Sequence, residues 1–220
     1  IFIDGKKVII DSPIKAQNLG ISMIHQELRL FPDLSVAENI FTKREPLKKG
    51  FPLPVIDWAK VYRDTEKYLK YFQLNINPRI QVGYLSYGQQ KFIEIIKAIS
   101  HQSNVLIMDE TTAALTEKEI QMLFEAIEEI KRMGVTIMYI SHRLGEVKQI
   151  ADSVTVLRDG RVAGSGSMNE MDMVDMIQVM AGRKIEDRYP KIKVKPGTEI
   201  LKVENLHYEG IPHNINLTLR

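Results

Sequence analysis

The 220-residue chain carries 30 Lys and Arg against 28 Asp and Glu, a formal net charge of +2, with 44% hydrophobic and 26% charged residues. These are ordinary proportions for a soluble globular protein, and the near-balanced charge points to neither a nucleic-acid nor a membrane-surface partner. Cysteine is absent, which excludes disulfides and thiolate metal sites, and the longest apolar runs, such as 135–140, are far too short to span a bilayer.

Ile1-Phe2-Ile3 and Val8-Ile9-Ile10 flank Asp4-Gly5, which supplies the positive φ of a tight turn, so a β-hairpin is predicted here. Ile21 to Ile24 reads as a short strand running into His25-Gln26-Glu27. Residues 42–56 are polar, basic and rich in Pro and Gly, hence loop. Asp57 is expected to cap a helix on which Trp58, Val61, Tyr62, Thr65, Leu69 and Phe72 recur at helical spacing. A second helix starts near Ser86 and carries Phe92, Ile95, Ile96 and Ile99.

Strand and helix then alternate. Strand 105–109 leads to helix 117–132, which Gly134 ends. Strand 135–140 leads to helix 143–150, and strands 153–158 and 161–164 turn at Asp159-Gly160. Buried strands bounded by helices predict a parallel sheet with helices on its faces, an α/β fold. The helical insert between Gln26 and Ser103 is expected to form a separate lobe. A Met-rich helix over 169–182 ends at Gly182, a linker follows over 183–199, and strand alternation resumes at Leu201, Val203, Ile215, Leu217 and Leu219. The chain opens and closes in strand-like residues and does not begin with Met, so both ends are expected to be cuts through a longer polypeptide.

Four places along this pattern carry chemistry. Asp109-Glu110 ends a predicted parallel strand, where α/β proteins bind ligands. In a nucleotide hydrolase the first carboxylate holds Mg²⁺ and the second polarises a water, although acids are also common at a strand end before a helix. Leu85-Ser86-Tyr87-Gly88-Gln89 opens a helix. Ser86 with Gln89 is a capping box, and the same N-terminus, with no side chain on Gly88 to block approach, attracts anions. His142 follows strand 135–140 and reads either as a helix-start residue or as a donor to a transferring phosphate. Gln26 reads either as a polar loop residue or as a ligand to Mg²⁺ or water. No G-x-x-x-x-G-K-[ST] phosphate loop occurs anywhere in the chain.

Gln26, then Leu85-Ser86-Tyr87-Gly88-Gln89, then Asp109-Glu110, then His142 resembles, in order and strand context, the Q-loop, signature, Walker B and switch histidine of ABC-type ATPases. Residues 20–28, 34–41 and 181–190 further resemble the first cassette of bacterial monosaccharide importers of the ribose, galactose and xylose class. The resemblance covers nearly the whole chain. It implies a partial ABC cassette over 1–182 without its Walker A region, with a helical subdomain over about 33–101. It also implies a linker over 183–199 and the first strands of a second cassette over 200–220.

What the resemblance implies for function is the ATP-binding and ATP-hydrolysing subunit of a sugar importer, on the cytoplasmic face of the cell membrane, with ATP and Mg²⁺ as cofactors. Glu110 is the implied general base and His142 the γ-phosphate contact. Asp109 and Gln26 are the implied Mg²⁺ ligands. Leu85, Ser86, Tyr87, Gly88 and Gln89 are the nucleotide-binding signature, with Ser86 and Gly88 facing ATP held by a second cassette. The implied partners are membrane permease subunits, the second cassette of the same chain and, indirectly, a periplasmic or extracellular sugar-binding protein; nucleic acid is not among them.

Three positions depart from the family's pattern. Thr111 stands where Pro usually follows the glutamate, Thr116 where Asp usually ends the D-loop, and Tyr87 where many signatures have Gly. These departures bear on the coupling between cassettes and on the strength of the site that this signature serves. Because the phosphate loop is missing, a second reading stays open: a catalytically inactive fragment or binding module that docks a permease. A soluble ABC protein acting on ribosomes or DNA is a third, which the balanced charge and the importer-like segments disfavour.

Overall fold

The computed structural model describes residues 1–3, 5–50, 52–101, 103–182, 197–207 and 214–220. They divide into two compact units, Ile1–Met180 and Ala181–Arg220. The first is organised on three parallel strands, β3 (Ile21–Ile24), β4 (Val105–Asp109) and β5 (Thr136–Ile140), in the order β3-β4-β5. The register pairs Ile24 with Met108 and Met108 with Tyr139. All three strands therefore deliver their C-terminal residues to one edge of the sheet.

Alternation along the strands decides which face is buried. Ile24, Leu106 and Met108 are at most 2% exposed, and Ile137 and Tyr139 pack against the same cluster. On the opposite face Met23, Met138 and Ile140 are exposed. Among the described residues the core thus lies on one face of the sheet. Near-continuous apolar runs read as strands covered on both sides, but pattern alone does not say which elements supply the cover.

The covering helices form where their sequences cap and pattern them. Helix α4 (Tyr87–Ile99) starts at Ser86, whose Oγ accepts from Gln89 N while Gln89 Oε1 accepts from Ser86 N. Its Phe92, Ile93, Ile95 and Ile96 are buried. Helix α5 (Glu117–Arg132) starts at Thr116 with the same reciprocal box to Glu119 and buries Leu123, Ile127 and Ile130. Helix α3 (Trp58–Tyr71) is capped by Asp57, as expected, and buries Val61, Thr65 and Leu69.

Two helices absent from the sequence expectations appear. Helix α1 (Pro13–Asn18) has Ser12 as N-cap and Pro13 in its first turn, and α2 (Val36–Phe41) has a Ser35–Glu38 capping box. Each has 6 residues, too short to show a 3.6-residue period, although both cap signals stand in the sequence. Val36 and Ile40 of α2, Leu69 of α3 and the apolar face of α4 share one buried cluster with the sheet.

At the N-terminus β1 (Phe2–Ile3) pairs with β2 (Lys6–Lys7), with Gly5 at φ +74°. The hairpin forms as expected, but its second strand is Lys6–Lys7 rather than Val8–Ile10. A two-residue turn pairs the residues that immediately follow it; Asp4 lies outside the described residues. After α6 (Leu144–Ile150), strands β6 (Ser153–Arg158) and β7 (Arg161–Ser167) form an antiparallel hairpin. Its turn residues Asp159 and Gly160 have φ of 51° and 72°. Strand β7 runs on to Ser167, three residues past its expected end, and α7 (Met173–Ala181) completes this run.

In the second unit β8 (Leu201–Leu206) pairs antiparallel with β9 (Ile215–Leu219). Most of the expected linker, 183–196, lies outside the described residues.

Candidate active site at the sheet edge

Glu110 follows the last residue of β4 and turns sharply. Its φ is +43°, a conformation that costs a non-glycine residue about 1–3 kcal/mol. Its N–H donates to Ile140 O at 3.0 Å, so the turn is tied to the end of the neighbouring strand. This places Glu110 Oε1 2.9 Å from His142 Nδ1, two residues past β5. The pair is open to solvent: the Glu110 side chain is 34% exposed and that of His142 68%. Asp109, the last residue of β4, pairs in register with Ile140. Its carboxylate has no hydrogen bond or ion pair among the described residues.

A buried network fixes both segments of this pair. Glu146 on α6 accepts from Thr112 Oγ1 at 2.9 Å and from Tyr139 OH at 2.8 Å, both on Oε2. Ser141 Oγ donates to the same oxygen at 3.4 Å, and Arg143 Nη1 donates to Oε1 at 3.1 Å. One carboxylate thus reaches the segment after Glu110 and both neighbours of His142. Burial, and then the Glu146 carboxylate, pushes the Tyr139 phenol up, so it remains a donor. The Thr111 hydroxyl is buried near Tyr139 without closing a hydrogen bond.

Gln26 lies two residues past β3, at the same edge, and is exposed. Its carbonyl accepts from Lys91 Nζ at 3.3 Å and from Tyr87 OH at 3.4 Å. Tyr87 therefore connects the opening of α4 to the Gln26 loop. Leu85 is buried at 9% exposure and packs into the core, while Ser86 and Gln89 are engaged in the capping box. Gly88 is buried, and a Cβ there would meet Glu119 Oε1. The missing side chain makes room for Glu119, whose Oε2 accepts from Thr116 N and Oγ1 at 2.9 and 2.8 Å. The end of the Glu119 side chain, from α5, thus stands against the opening of α4.

The expected residues fall into two groups. Asp109, Glu110 and His142 meet at the ends of β4 and β5. Leu85, Ser86, Tyr87, Gly88 and Gln89 sit at the start of α4 and reach Gln26 through Tyr87. No hydrogen bond or ion pair joins the groups among the described residues. Sequence reading missed Glu146, Lys91, Glu94 and Glu119. Lys91 and Glu94 had a signal, since both interrupt the apolar face of α4; Glu146 and Glu119 read as ordinary helix acids.

No group of three or more His, Asp or Glu is arranged as a metal centre among the described residues. Asp109 fits a cation nonetheless. Mg²⁺ is commonly held by one or two carboxylates together with phosphate oxygens and water, and the Asp109 carboxylate, without a partner among the described residues, offers oxygens of that kind.

The sequence profile of the ABC transporter family matches residues 1–113. The chain belongs to that family. The ABC transporter chain is 44% identical over 215 residues to a galactose/methyl galactoside import ATP-binding protein of Photobacterium profundum, covering 98% of this chain and 43% of that one. It is 43% identical over 220 residues to a ribose import ATP-binding protein of Geobacillus kaustophilus, covering 100% and 44%. It therefore spans less than half the length of these curated relatives. Its fold is similar to an ATP-binding cassette of an ABC transporter in its ADP conformation, with TM-score 0.67 and 21% identity, over 84% of this chain and 76% of that one. A nucleotide-free cassette gives TM-score 0.64 and 22% identity, over 84% and 74%. The α/β cassette fold expected from the sequence is the fold found.

Proposed function

We propose that this chain is part of the ATP-hydrolysing subunit of a monosaccharide importer, with its hydrolytic centre at Asp109, Glu110 and His142. The observation that carries this reading is the 2.9 Å contact between Glu110 Oε1 and His142 Nδ1 beside an unpartnered Asp109, at the edge where parallel strands end. Glu110 takes a proton from the attacking water, and His142, beside that carboxylate, contacts the γ-phosphate. Asp109 holds Mg²⁺, with Gln26 contributing a ligand or water contact. When bound, Mg²⁺ neutralises charge building on the β- and γ-phosphates. Ser86 and Gly88 serve ATP held on a second cassette.

The phosphate loop absent from this sequence is supplied by polypeptide beyond these residues, in a protein of the relatives' length. In that protein residues 1–182 form the first cassette, 183–199 the linker and 200–220 the opening of the second. No described helix is long and apolar enough to cross a membrane, and the reading places the protein at the cytoplasmic face, docked on permease subunits through the helical segment 33–101. A sugar-binding protein acts on it only through the permease.

The test is reconstitution of the full-length protein with a cognate permease in vesicles. The reading expects hydrolysis stimulated by a sugar-loaded binding protein; hydrolysis indifferent to permease and sugar contradicts it. The missing phosphate loop favours a second reading for these 220 residues alone, a permease-docking module that does not hydrolyse ATP. Calorimetry with MgATP tests it: micromolar binding, about −8 kcal/mol, contradicts the module reading.

A further inference from the structure

Lys91 is fully buried, 1% exposed, in the second turn of α4. A lysine is almost never buried so completely unless it is paired, and here the ammonium has three acceptors. Its Nζ donates to His25 O at 2.9 Å, to Gln26 O at 3.3 Å and to Glu94 Oε2 at 3.0 Å. Glu94, 7% exposed, turns its other oxygen to the N–H of Arg29. Tyr87 OH, one turn earlier, donates to the same Gln26 carbonyl. The loop 25–29 is thereby held at both ends by one face of one helix.

We infer that Lys91 and Glu94 are positioning residues: they latch the Gln26 loop to α4, so that Gln26 keeps a fixed place relative to Ser86 and Gly88 on the same helix. Stability gives no reason for the pair. Burying two charges is costly, and apolar residues of like volume are often as stable. What the charges supply is direction, since an ammonium and a carboxylate bond to backbone carbonyls and an N–H that an apolar pair leaves free to shift. The inference rests on the proposed role of Gln26 at the nucleotide, and it gives Tyr87 a task that a glycine at that signature position does not perform.

The test has two arms. In the first, amide exchange is measured on this chain and on Lys91→Met/Glu94→Leu. Exchange at the Arg29 amide, whose N–H Glu94 accepts, is expected to quicken about tenfold or more, with β4 amides unchanged; unchanged exchange at Arg29 overturns the latch. Should the apolar pair fail to fold, Lys91→Met/Glu94→Ala, which also removes the acceptor for Arg29 N–H, reads the same effect. In the second arm, the same substitutions in the full-length ATPase are expected to lower kcat by at least about tenfold while KM for MgATP moves less than about twofold. Faster exchange with unchanged kcat overturns the positioning role. A full-length protein without ATP hydrolysis overturns the proposed function and leaves the exchange arm decisive for the latch.

Discussion

Glu146 accepts a hydrogen bond from Thr112 at 2.9 Å across 34 residues of sequence, and through it the segment after Glu110 is tied to the segment around His142. The same carboxylate oxygen serves Tyr139 OH at 2.8 Å. Removing the carboxylate strands three hydroxyls, one of them on a buried residue, and leaves Arg143 without its ion pair. Glu146→Ala is therefore expected to destabilise the chain by about 3 kcal/mol in urea denaturation, and Glu146→Gln by clearly less, because it keeps one acceptor oxygen.

Thr111 presents the opposite case. Among the described residues its hydroxyl is buried beside Tyr139 without closing a hydrogen bond, and an unsatisfied buried hydroxyl costs about 1–3 kcal/mol. Thr111→Val keeps the shape and removes the polar atom. A stability gain of about 1 kcal/mol is expected from urea denaturation; a loss of similar size means that the hydroxyl is bonded.

Gly88 and Glu119 are predicted to be coupled. Alanine raises helix propensity over glycine by about 1 kcal/mol, but here its Cβ displaces a carboxylate engaged in the Thr116 capping box. Gly88→Ala should gain little in the parent chain and more in a Glu119→Ala background. A double-mutant cycle should return a coupling of about 1 kcal/mol; additive effects contradict the contact.

Stability should fall with acid in a way traceable to His101. Its pKa is lowered to about 4, first by burial and then by the Arg44 and Lys97 charges. The unfolded chain, with an ordinary histidine near 6.5, binds the proton more readily than the fold. Stability is thus full above that value and is lost as pH falls toward about 4. His101→Gln should flatten the decline in melting temperature between these limits; an equal decline in both proteins contradicts the assignment.

Much of the framework was legible because it is written in local signals. Asp57, the Ser86–Gln89 box and the Asp159-Gly160 turn each act within four residues, and each marks an element that forms. Gln26, Asp109, Glu110 and His142 were legible as a set because their order resembles the Q-loop, Walker B and switch histidine of ABC-type ATPases, each at or just past the end of a strand of the parallel sheet. What sequence could not supply depends on contacts made across the fold. The left-handed turn at Glu110 has no glycine to announce it. The partner of Gly88 lies on another helix. The lysine on the apolar face of α4 is visible in sequence, but its partners, the carbonyls of His25 and Gln26, are not. Helices α1 and α2 are shorter than two turns and show no period.

Single-turnover ATP hydrolysis in the full-length protein carrying Glu110→Gln tests whether Glu110, beside His142, is the general base. The substitution removes the basic oxygen and leaves Asp109 to hold the cation. Hydrolysis is predicted to slow by about 10²–10⁴-fold, the usual range for a lost acid–base group, with MgATP binding essentially retained. Hydrolysis at the parent rate would contradict the account and move the chemistry away from this end of β4.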